Sequence, residues 1–125
     1  PVTVGERTYL DGGIASPTSA DFLLNSDLDE VAILAPMAAS EPDHPRSALA
    51  KIERAVRRHM TSIVDAEVGQ LRERGIRVIR LEPGAEDLQA IGFNMMDPRR
   101  RKQVFETALR TTSATVKRLL DESCR

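Results

Sequence analysis

The chain has 125 residues, 41% of them hydrophobic and 30% charged, a balance that suits one folded domain with one core and excludes a disordered chain. A net charge of −1 argues against a general nucleic-acid binder, and 3% aromatics with no Trp argue against stacking of bases or sugars as the main function. The single Cys124 closes no internal disulfide, no Cys/His spacing suits zinc, and no apolar run approaches the roughly 18 residues that span a membrane.

No signal-peptide pattern opens the chain, which begins with Pro1 and reads as a processed product or a fragment of a longer one. Val2-Thr3-Val4 and Arg7-Thr8-Tyr9-Leu10 flank Gly5-Glu6, which predicts a β-hairpin with a short turn. Asp11-Gly12-Gly13 then ends the second strand. An acid followed by two glycines sets a carboxylate on a tight turn with little bulk around it, a good way to aim one charge at a reaction centre. Pro17 suits the first turn of a helix with Ser16 as N-cap, running through Ala20, Phe22, Leu23 and Leu24 to about Ser26.

Glu30 to Ala35 is a short apolar run stopped by Pro36, the pattern of a strand buried on both faces in a parallel sheet. Residues 36–46 hold three prolines and an acidic patch and predict a loop. From about Ser47 to Arg74 the spacing predicts a long amphipathic helix, with Leu49, Ile52, Val56, Met60, Ile63, Val64, Val68 and Leu71 as its apolar stripe. Gly75 is its natural stop. A strand over residues 77–81 and a short helix over residues 86–91 follow. Asp97-Pro98 starts a final helix to about Leu120, with Phe105, Leu109, Thr112, Val116 and Leu119 or Leu120 on its buried side.

Alternating strands and helices define an α/β fold: a small, mostly parallel sheet packed by helices and opened by a β-hairpin. Residues 1–125 read as a single, partial domain, one portion of a larger layered unit.

The run from Tyr9 to Asp21, with Asp11-Gly12-Gly13 at a strand end and Ser16-Pro17-Thr18 opening the next element, resembles the C-terminal catalytic segment of patatin-like phospholipases. The following strand and long helix fit the same order of elements. The resemblance is tightest over residues 8–36 and implies a layered α/β domain that hydrolyses acyl esters of lipids through a Ser–Asp dyad. In that family a serine attacks the ester carbonyl and water cleaves the acyl-enzyme. Asp11 matches the aspartate that accepts the serine proton, and Gly12 and Gly13 complete its motif. An aspartate is a weak base unless burial raises its pKa, and a strand end under a lipid-binding groove supplies such burial. The family's Gly-x-Ser-x-Gly nucleophile elbow and glycine-rich oxyanion loop are not in this sequence. The resemblance therefore implies a partner: the N-terminal half of the same protein, carrying the serine. It implies a lipid or other acyl-ester substrate, no cofactor, no metal and no nucleic acid, in the cytoplasm with peripheral contact at a membrane. This chain alone is expected to be inactive.

Other polar residues have simpler readings. Ser16, Thr18 and Ser19 lie close in sequence to Asp11, but Ser16 reads as a helix N-cap. Asp21 lies in a first helical turn, where the dipole favours it. His44 falls in the proline-rich loop and is expected exposed, His59 is expected to be a partly buried structural residue beside Met60, and Cys124 lies near the chain end. The cluster Arg54, Arg57, Arg58 reads as a solvated face. Arg99, Arg100, Arg101 and Lys102 read the same way, with contact to anionic head groups as the competing reading. Met95 and Met96, with Ile91 and Phe93, read as core packing or as the wall of an acyl-chain groove, a choice that turns on whether Met95 lies in a closed core or an open groove. Two other functions compete with the hydrolase. In one, the chain is a non-catalytic α/β binding or regulatory module in which Asp11-Gly12-Gly13 is only a turn. In the other, the glycines cradle a phosphate, which an acid placed directly before them would repel.

Overall fold

Chain reversal begins at Gly5, whose φ of +63° suits the first central position of a two-residue hairpin turn. It joins β1 (Val2–Val4) to β2 (Arg7–Tyr9), which pair antiparallel with Val2 opposite Tyr9 and Val4 opposite Arg7. The computed structural model describes residues 1–40 and 48–123, with side chains described for residues 1–40 and 51–121. Every residue of the hairpin is exposed, and the hairpin forms a sheet of its own.

The second sheet is a parallel pair. β3 (Glu30–Leu34) lies beside β4 (Arg77–Leu81), with Val31 opposite Val78 and Leu34 opposite Leu81. Parallel neighbours need a long crossover, and α1 (Ala48–Glu73) supplies it. One sheet face and α1 make the core: Val31, Ile33, Ala35 and Val78 pack with Val64, Val68, Leu71 and Ile76, and Ala20 joins them. α1 ends in a Schellman motif. The Ile76 amide donates to the Leu71 carbonyl at 3.1 Å and the Gly75 amide to the Arg72 carbonyl at 2.9 Å, with Gly75 at φ +83°. Leu71 and Ile76 are both buried, the apolar contact that accompanies this cap.

α2 (Ala85–Ile91) and α3 (Arg101–Ser123) complete the α/β fold and pack on each other. Gly92 ends α2 at φ +70°, and the Arg100 guanidinium closes over that end by donating to the Gln89 and Ala90 carbonyls at 3.3 and 3.1 Å.

Four elements differ from the sequence expectation. The helix expected from Pro17 is a 3₁₀ helix over Ala20–Asn25, because Ser19 sits in the left-handed region and hydrogen bonds hold residues 16–20 as a loop. β3 is buried on one face only: Val31 and Ile33 are buried while Glu30, Ala32 and Leu34 are exposed, since α1 covers a single face. The first half of α3 is rotated from its expected orientation, while Val116 and Leu119 are half-buried. Phe105, Leu109 and Thr112 are exposed, whereas Thr107 is buried and Val104, Ala108, Thr111 and Thr115 are half-buried. The Thr111 hydroxyl donates to Asp87 at 2.7 Å, and this bond with the close approach of α2 turns the small-residue face inward. Leu49 of the expected α1 stripe lies outside the described side chains. Ile52 and Val56 are exposed, so the stripe is buried only in its second half.

Candidate functional site

The turn after β2 is built by its acid. Asp11 precedes a 3₁₀ turn over Gly12–Ile14, and its Oδ1 accepts the Gly13 amide at 2.9 Å. The Ile14 amide donates to the Asp11 carbonyl at 3.1 Å and the Ala15 amide to the Gly12 carbonyl at 2.9 Å. A Cβ on Gly13 would sit 3.3 Å from the Asp11 carboxylate, so glycine keeps that approach close. Asp11, Gly12 and Gly13 are exposed, and Leu10 and Ile14 beside them are 65% and 70% exposed. The desolvation expected around Asp11 is therefore absent among this chain's described residues. The carboxylate stands on a hydrogen-bonded, sterically open turn flanked by apolar side chains.

Glu67, which the sequence reading did not single out, ties this turn to the core. It is 6% exposed on α1, between Val64 and Leu71 on the packed face. Its carboxylate accepts the hydroxyls of Ser16 and Thr18 and the Ala20 amide, the last at 3.2 Å. Ser16 Oγ in turn accepts the amides of Thr18 at 3.1 Å and Ser19 at 2.8 Å. Ser16 is thus a cap, though of a loop rather than of the expected helix. The Ser16 amide donates to the Gly12 carbonyl at 3.2 Å, so a continuous set of hydrogen bonds runs from the Asp11 turn to the buried Glu67. The signal was present in the helical spacing: an acid three residues after one core position and four before another faces the core.

A second constellation lies at the carboxyl ends of β3 and β4, the edge where open parallel sheets commonly bind ligands. Arg57, expected on a solvated face, is 4% exposed. It donates to Glu53 at 2.9 Å and to the Pro36 carbonyl at 2.8 Å, and its Nη2 lies 3.5 Å from Met95 sulfur. Burial of this charge follows from its three partners. Arg80 pairs with Glu82 at 2.8 Å and with Asp65, while Glu82 accepts the Ser40 amide at 2.8 Å. These bonds pin the loop after β3 to α1 and β4.

Met95 and Met96 settle on an open groove. They are 42% and 85% exposed, with Phe93 at 56%, so the core-packing reading is corrected. The groove holds about 550 Å³ between the segment before α3 and the first turns of that helix. His59 is exposed, contrary to its expected partial burial, and its carbonyl accepts the Ser62 hydroxyl at 2.7 Å. Asp21 is exposed in the first turn of its 3₁₀ helix. His44 and Cys124 lie outside the described residues. Among the described residues no group of His, Cys, Asp and Glu is arranged to hold a metal ion, and no helix is long and apolar enough to cross a membrane.

Comparison with known proteins gives no relative: no family model, no curated protein and no solved structure matches the chain.

Proposed function

We propose that this chain is the aspartate-bearing portion of a patatin-like serine acyl hydrolase that cleaves carboxylic esters of lipids. Asp11 takes the proton of a serine carried by the N-terminal half of the same protein, and Gly12 and Gly13 keep the space beside it clear. The reading is carried by one observation: the Asp11 carboxylate is held by a single backbone amide on an exposed turn, among exposed apolar residues. A carboxylate used only to close a turn does not need that apolar surround. A segment covering Leu10 and Ile14 would remove water from the carboxylate and strengthen it as a base. The localisation that goes with this reading is cytoplasmic, at the surface of the membrane that holds the ester.

The test is intact and native mass of the purified protein together with labelling by a serine-reactive fluorophosphonate. A polypeptide that joins or accompanies this chain and takes the label is the expected result. A lone 13.8 kDa species that takes no label, from a gene with no upstream nucleophile elbow, leaves a non-catalytic α/β binding module with Asp11 as its turn cap.

A further inference from the structure

Two apolar grooves meet across α3. One, of about 300 Å³, lies under Leu34 and Leu81 at the strand ends; the other is the Met95–Met96 groove. Both are lined by Ile91, Val104 and Ala108, so these three residues form a shared apolar saddle between them. Both volumes fall in the range of small-molecule sites.

The ends of this track differ in charge. At the strand end stand Glu82 and Asp87. Glu82 is offset by Arg80, whereas Asp87 bonds the Gly84 amide at 3.0 Å and the Thr111 hydroxyl at 2.7 Å, neither of which is a cation. At the methionine end stand Arg100 and Arg101, with Asp97 as the acid among them. Asp97 accepts the Arg99 amide at 3.0 Å as a helix cap. Arg100 is held in place by the carbonyls of α2, and the Arg101 guanidinium has no hydrogen bond or ion pair among the described residues. An apolar track with a cationic mouth at one end and a carboxylate at the other matches an amphiphile with one anionic head and one apolar chain. It disfavours the reverse orientation, which would set that anionic head beside Glu82 and Asp87.

We infer that this track binds a long-chain fatty-acid carboxylate, with its head at Arg100 and Arg101 and its chain over Ile91, Val104 and Ala108 towards Leu34 and Leu81. Methionine at the mouth suits chains of different shape, because its side chain is flexible and polarisable. The inference rests on the grooves and their rims and stands whether or not Asp11 is a catalytic base.

The probe is cis-parinaric acid, whose fluorescence rises when its polyene chain leaves water, titrated into the protein below the acid's aggregation concentration. Saturable binding is expected, displaced by palmitate at lower concentration than by hexadecyltrimethylammonium, and weakened as salt is raised. Arg101→Glu, at an exposed side chain with no structural bond, is expected to weaken binding roughly fivefold, the equivalent of about 1 kcal/mol. Ala108→Leu, checked for fold by circular dichroism, is expected to weaken it by narrowing the saddle. The inference is overturned by absence of saturable binding, by unchanged affinity in Arg101→Glu, or by equal displacement with the cationic amphiphile. It is also overturned if signal appears only with phosphatidylserine-containing vesicles, which would make the basic mouth a membrane contact.

Discussion

At the scale of single residues, Glu67 has the most to lose. Truncating it to alanine leaves two hydroxyls and one amide without their acceptor in a nearly closed site. Each unsatisfied buried group costs about 1–3 kcal/mol, so Glu67→Ala is expected to destabilise the chain by roughly 3 kcal/mol or more in urea denaturation. Hydrogen exchange at Gly13 and at residues 16–20 should rise more than exchange in β3 and β4, because the lost bonds are local to that loop. A uniform rise across the chain would mean that Glu67 supports the core and not the turn. The Asp11 turn was visible in the sequence because it rests on a contiguous tripeptide. Glu67 was not, because its partners lie 47 to 51 residues away and only folding brings them together.

At the scale of elements, backbone signals were legible and helix orientations were not. Gly75 announced the end of α1, and the Schellman bonds confirm why glycine stands there. Nothing lies within 4 Å of a Cβ added at Gly75, so Gly75→Ala is expected to cost only the left-handed strain, about 1–2 kcal/mol, read as a lower denaturation midpoint at unchanged slope. Gly92→Ala adds a second effect, since its Cβ would fall 2.7 Å from Arg100 Nη1 and displace that cap. It is expected to lower stability more than Gly75→Ala, because Gly92 at φ +70° and ψ −161° lies in a region that only glycine enters readily. The strands at residues 30–34 and 77–81 followed from short apolar runs, but the burial of β3 on one face could not, because periodicity does not say how many layers cover a sheet. In α3 the larger apolar residues pointed to one face, yet the helix packs through Thr107, Ala108 and Thr111. The deciding contact is Asp87 on α2, which sequence spacing cannot place against Thr111.

At the scale of the whole molecule, the α/β class was readable from element order alone, while the separation of the hairpin from the parallel pair was not. Val2, Val4, Leu10, Ile14 and Phe22 are all more than 60% exposed, so the N-terminal segment presents apolar surface of the kind that proteins cover. The purified chain is therefore expected to bind an apolar dye such as anilinonaphthalene sulfonate under native conditions, and Phe22→Ser with Ile14→Ser to reduce that signal without loss of helix. The central claim is that Asp11 serves as a base for a serine outside this chain. It is tested most directly by ester turnover in the protein that joins this chain to the nucleophile-bearing half, comparing Asp11→Asn with the unmodified form. A positioned general base contributes about 10²–10⁴-fold, so turnover is expected to fall by that factor with KM little changed and the fold intact. Turnover unchanged in a folded Asp11→Asn protein would contradict the account and leave Asp11-Gly12-Gly13 as a turn.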